Sequence, residues 1–155
     1  MGFLNFLFPP PIHDEVVGTL RRTWSGWRGD IDLQEGDPVP LLIAGSRAGP
    51  SQAALDLAHQ LPGRYPSLKP AIGVALLEHA EPARDDLPVG LPMPPANNPE
   101  TVWRSVIPVH VRVEPIDGTL MIEIGLSADW DEEHTLGARL RDWRLVELNG
   151  SVRGV

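Results

Sequence analysis

The sequence predicts an α+β fold: a mainly antiparallel sheet, made of an N-terminal hairpin and a C-terminal meander, packed with two to three helices from the middle of the chain. Three observations lead there. Val109, Val111 and Val113 alternate with His110, Arg112 and Glu114, and Leu120, Ile122 and Ile124 continue that period after Asp117-Gly118, the sign of a hairpin. Between residues 53 and 77 the apolar residues recur at helical spacing instead. The chain has 155 residues and is 42% hydrophobic, enough for one ordinary domain that buries roughly 70% of its unfolded surface without a staple.

Residues 1–11 read as an apolar arm, in which Phe3, Phe6 and Leu7 share one face of a short helix ended by Pro9-Pro10-Pro11. The rest, 12–155, reads as a single domain. Residues 16–33 give strand, turn and strand, with Trp24-Ser25-Gly26-Trp27 as the turn. Residues 39–44 form an unbroken apolar run, the mark of a strand buried on both faces or central in its sheet. The segment 45–51 joins strand to helix but lacks the Gly-Lys-Ser/Thr ending of a phosphate loop, and Pro50 removes a backbone donor such a loop needs. Ser51 is placed to cap the helix that follows.

Ala53, Ala54, Leu57, Ala58 and Leu61 mark that helix, and Pro62-Gly63 is expected to stop it. A second helix is expected from Ser67, with Pro70 in its first turn, through Ile72, Leu76 and Leu77 to Ala80. His59 and His79 read as rim histidines. Six prolines between Glu81 and Pro99 predict a long loop over 81–99. Asn98-Pro99-Glu100 then signals a helix start, with Val102, Trp103 and Val106 on its apolar face. Strands near 109–113, 120–126, 135–140 and 144–148 complete the meander.

A net charge of −8 and a pI near 5.0 disfavour nucleic acid, whose binding draws on Lys and Arg displacing counterions from phosphates. The same charge would speed encounter with a basic protein. The composition has no cysteine, so disulfides, thiolate nucleophiles and Cys-ligated zinc do not arise, and no cofactor is called for. The apolar run 2–8 is too short to span a bilayer and has no basic flank, and Phe6 breaks a myristoylation pattern. A cytoplasmic location is expected.

The densest chemistry is Asp129-Trp130-Asp131-Glu132-Glu133-His134, immediately after an apolar strand. Three readings compete. In the first, a carboxylate closes a turn, Trp130 fills core and His134 bonds a neighbouring acid. In the second, Trp130, Asp131, Glu132, Glu133 and His134 present a binding surface. In the third, Asp129, Asp131, Glu133 and His134 hold a metal ion for hydrolysis, although neither a calcium-loop spacing nor a His-Glu-x-x-His helix is present. No catalytic residue is assigned. Trp24 and Trp27, closely spaced about a turn, are candidates for stacking on a ligand.

Trp130-Asp131-Glu132-Glu133-His134-Thr135-Leu136-Gly137 resembles the Trp-Asp-x-Glu-His-Gly-Leu-Gly segment near the C-terminus of a group of small bacterial domains of unknown function, which also open with a strand like 13–20. Thr135 stands where those proteins have glycine. Asp142-Trp143 stands where a hairpin would read Asp-Gly, and a type I′ turn disfavours Trp143. The resemblance implies a bacterial protein and brings no activity with it. The expected function is a non-enzymatic protein-interaction module, immunity-like or accessory, with a basic protein as partner. The alternatives are the metal-assisted hydrolase and a homo-oligomer assembled through the arm.

Overall fold

The computed structural model describes residues 7–86 and 98–155. Its centre is a sheet of eight strands in the order β1-β2-β3-β4-β7-β8-β9-β10: β1 is Ile12–Asp14, β2 Gly18–Arg22, β3 Trp27–Ile31, β4 Val39–Ile43, β7 Val106–Ile116, β8 Thr119–Ala128, β9 Asp131–Arg141 and β10 Arg144–Asn149. Every neighbouring pair is antiparallel except β4 and β7, where Leu41, Leu42 and Ile43 lie beside Val111, Arg112 and Val113 in parallel. The parallel pair follows from the crossover that links those two strands, for a hairpin cannot join them. A two-stranded clip, β5 (Gly45–Ser46) with β6 (Gly49–Pro50), precedes the crossover helix α1 (Gln52–Asp86).

One α-helix stands where the spacing predicts two. It is 35 residues long and carries Pro62, Pro66, Pro70 and Pro82 inside it. A proline in a helix interior costs about 3 kcal/mol, mostly through the lost hydrogen bond and the clash with the preceding turn. Here Pro62, Pro66 and Pro70 stand four residues apart, on one stripe, with Pro66 and Pro70 exposed. Carbonyls on that side can tilt out to water, which removes much of the cost. Beside that stripe, flanked by half-buried Pro62, runs an unbroken row of fully or nearly buried residues, Ala54, Ala58, Leu61, Tyr65, Leu68, Ile72, Leu76 and Ala80. Each large one contributes about 2 kcal/mol of burial, and a helix broken at Gly63 would forfeit the continuity that lets all of them meet the sheet. Ser51 caps the start as expected, its Oγ accepting the Ala54 N–H at 3.4 Å while its carbonyl accepts the Leu55 N–H at 2.9 Å.

The expected loop over 81–99 is corrected in part. Residues 81–86 continue the helix, and 87–97, which hold Pro88, Pro92, Pro94 and Pro95, lie outside the described residues. The helix expected at Asn98 is a short 3-10 turn, Thr101–Ser105, because the Asn98 Oδ1 accepts the Glu100 N–H at 2.8 Å and closes a tighter turn than an α-helix start. Val102 is buried and the Trp103 indole donates to the Lys69 carbonyl, tying this turn to α1.

Inward-facing Leu20, Trp27, Ile31, Leu41, Ile43, Val111, Val113, Ile122, Ile124, Leu136, Ala138 and Leu140 meet the helix and make the core. No described helix is long and apolar enough to cross a membrane. The Asp117-Gly118 turn has φ of 51° and 80°, as its composition requires. Asp142 and Trp143 adopt the same left-handed pair, with φ of 50° and 61°, against the preference of a bulky residue. Trp143 is held there by packing on the core and by the Arg64 guanidinium, 4.5 Å from its ring centroid. Trp143→Ala and Trp143→Gly both remove the ring, but only alanine keeps the left-handed penalty, so the glycine variant is expected to be more stable by about 1 kcal/mol in urea unfolding.

Candidate functional site

The sequence cluster 129–134 spans the two-residue turn 129–130 between β8 and β9 and the first four residues of β9. Its anchor is Trp130, 7% exposed, whose indole N–H donates to Nδ1 of His79 on α1 at 3.2 Å. His79 therefore receives a bond across the sheet–helix interface and is no free rim histidine. The backbone is pinned on the other side by the Asp129 N–H donating to the Ser105 carbonyl at 2.9 Å. Around this anchor the acids face outward: Asp129, Glu132, Glu133 and His134 are exposed and Asp131 is half-buried. The structure brings two of them together, His134 Nδ1 lying 2.8 Å from Asp131 Oδ1. Among the described residues no three His, Asp or Glu side chains gather as a metal-holding group, so Asp129 and Glu133 stand apart from the Asp131–His134 pair.

Trp24 and Trp27 part company. Trp27 opens β3 and is fully buried, its indole donating to the Ser46 carbonyl at 2.9 Å, which locks the β5–β6 clip onto the core. Trp24 stays in the turn and is 81% exposed, edge-on to Phe8 of the arm with ring centroids 5.1 Å apart. The arm's expected helical face lies mostly in residues 1–6, outside the described residues.

His59 also has a partner. Its Nε2 lies 2.8 Å from Asp14 Oδ2, fastening edge strand β1 to the helix. Burial pushes the Asp14 carboxyl up, but the Val17 and Val16 N–H groups and the His59 ring together outweigh it and hold it below its ordinary value.

The outer face of the sheet, turned away from α1, holds polar groups that sequence patterning left scattered. Pairing across β4, β7, β8, β9 and β10 sets Leu42, Arg112, Glu123, Arg139 and Glu147 in one row. Glu123 is 3% exposed and accepts from Arg139 Nε at 2.8 Å, and Arg139 Nη1 reaches Glu147 at 3.1 Å. The Glu123 bond, opposed in part by burial, raises the pKa of the Arg139 guanidinium above its ordinary value. The adjacent row is His110, Gly125, Gly137 and Asn149. Its two glycines leave space that others fill: the His110 ring lies over Gly125, and Val152 of the C-terminal segment lies over Gly137, where its N–H donates to Thr135 at 2.8 Å. The segment 150–155 thus crosses the outer face between two polar clefts of about 340 and 410 Å³. The alternation His110, Arg112, Glu114 signals a polar face, but the row itself exists only once the strands are in register.

His110 is 3% exposed with Nε2 unpartnered among the described residues. Burial, then the positive charge of Arg112, lowers its pKa, against a smaller upward pull from Glu123. An unfolded histidine takes a proton near pH 6.5, which the folded one resists, so stability should fall as the pH drops below about 6.5. Urea unfolding between pH 7.5 and 5 is expected to show that loss, and His110→Leu to remove most of it; the Asp14 contribution sits lower, below its ordinary carboxylate range.

Residues 16–153 match the family model of a domain of unknown function, DUF6985, and the chain belongs to that family. No curated protein and no solved structure matches the chain.

Proposed function

We propose that this member of the DUF6985 family is a non-enzymatic protein-interaction module that meets a basic partner with the acidic end of its sheet. The observation that carries the reading is the way residues 129–134 are held. Trp130 is sunk into the core and hydrogen-bonded to the helix, while Asp129 in the same turn and Glu132 and Glu133 at the start of β9 are exposed. On α1, exposed Glu78 and Glu81 lie next to and two residues beyond His79, the partner of Trp130, and add negative charge to that stretch of the helix. An anchored acidic surface is suited to electrostatic recognition, which sets encounter rate and specificity. An immunity-like or accessory role in a bacterial cytoplasm fits that behaviour.

The test is affinity capture from the native host with the wild-type chain and with a Glu132→Lys/Glu133→Lys variant. A basic protein retained by the wild type, released by moderate salt and at least about tenfold weaker on the variant is expected. Equal capture by both, or none by either, would refute the reading.

The metal-assisted hydrolase has one observation on its side, the 2.8 Å approach of His134 to Asp131, a pairing often seen behind a metal ligand. Recruiting Asp129 and Glu133 as well would require the β8–β9 turn to rearrange around its buried tryptophan. Assembly through the arm remains the third reading, and deletion of residues 1–11 with unchanged sedimentation would dispose of it.

A further inference from the structure

We propose that the outer face of the sheet carries a separate binding site, for an oxyanion on a small aromatic body, in the cleft between the C-terminal segment and the β2–β3 turn. The cleft has a volume of about 410 Å³ and is lined by Arg28, Arg112 and Arg153, with Glu114 as its acidic side chain and Val155 at its edge. A volume of that order suits a small molecule. The chain has 21 acidic and 13 basic residues, so three arginines with one acidic side chain reverse its overall balance.

The three cations are not equally engaged. Arg112 donates from Nη1 to Glu114 at 3.2 Å and from Nη2 to the Gly154 carbonyl, while its Nε is buried without a partner. Arg28 and Arg153 are exposed, and among the described residues neither guanidinium has a hydrogen-bond or ion-pair partner. Like charges crowded into one cleft destabilise it unless something neutralises them, and guanidinium groups are suited to carboxylate or phosphate oxygens.

The rest of the lining selects the body that carries the anion. Leu42, 5% exposed, forms an apolar floor, and the 81% exposed Trp24 stands at the rim. Phe8 meets the Trp24 ring edge-on, at 74°, and steadies it. An indole fixed beside a basic cleft stacks on a planar ring while the arginines hold the charged group. This site shares no residue with the acidic end, so either proposal stands or falls without the other.

Phenyl phosphate and benzoate should be titrated calorimetrically into the full chain, with inorganic phosphate and acetate as controls for the charged group alone. One aryl anion is expected to saturate a single site about tenfold more tightly than its bare headgroup, and which one does so identifies phosphate or carboxylate as the preferred oxyanion. Arg28→Glu and Arg153→Glu, both changes at exposed side chains, should each weaken that binding by about tenfold or more. Trp24→Leu should abolish the preference for the aryl form. No saturable heat with either aryl anion, or undiminished binding by both charge-reversed variants, would overturn the proposal.

Discussion

Gly125→Ala is expected to destabilise the domain by about 3 kcal/mol, at the upper end of what overpacking a core costs. A methyl group built on Gly125 would stand 2.2 Å from Cε1 of His110 and 2.5 Å from both ring nitrogens. The ring has nowhere to go, since it is 3% exposed and Gly125 faces it directly across β7 and β8. Urea unfolding of Gly125→Ala, His110→Ala and the double variant measures the coupling. If the two groups exclude each other as described, the double variant should be more stable than the sum of the single losses predicts, by about 2 kcal/mol.

Arg139→Met should have a comparable effect for an electrostatic reason. It removes the partner of Glu123, a carboxylate that the fold buries almost completely, and breaking such a pair typically costs about 3 to 5 kcal/mol because a charge is left without compensation. Part of the loss should be recoverable by acid. Without Arg139 the buried carboxyl binds its proton more readily in the folded chain than in the unfolded one, so the variant's deficit is largest near neutral pH and shrinks as the pH falls towards 5. Glu123→Gln in the Arg139→Met background should abolish that pH dependence, which unfolding midpoints across the range would show.

Much of the sheet was legible in the sequence because strand alternation is set locally. The apolar residues of the meander and the Asp117-Gly118 turn lie where period and turn chemistry place them. Central placement of residues 39–43 followed from their unbroken apolar run, and Leu41, Leu42 and Ile43 are all buried. The helix runs on past its prolines because a proline's cost depends on the face it occupies. A spacing of four puts Pro62, Pro66 and Pro70 on a single stripe, visible in the sequence once the buried stripe beside it is traced through Tyr65 and Leu68.

The acidic turn was recognisable from composition, whereas its anchoring was not. Trp130 meets His79 across 51 residues, and no local pattern encodes that contact. Trp27 looked like half of an exposed pair because a turn of four residues hides which of its ends enters the strand. The outer-face row from Arg112 to Glu147 depends on register shifts at Ser127 and Val146, which period-two counting passes over.

The most direct measurement of the central claim, that residues 129–134 form a rigid acidic surface and no reaction centre, is a titration of the full chain with Mg²⁺, Mn²⁺ and Zn²⁺ combining calorimetry with the imidazole resonances of His134 and His79. No saturable heat and no metal-dependent change at His134 into the millimolar range are expected, with His79 unmoved beneath the Trp130 indole. Saturable binding that shifts His134 and is lost in both Asp129→Asn and Glu133→Gln would contradict it.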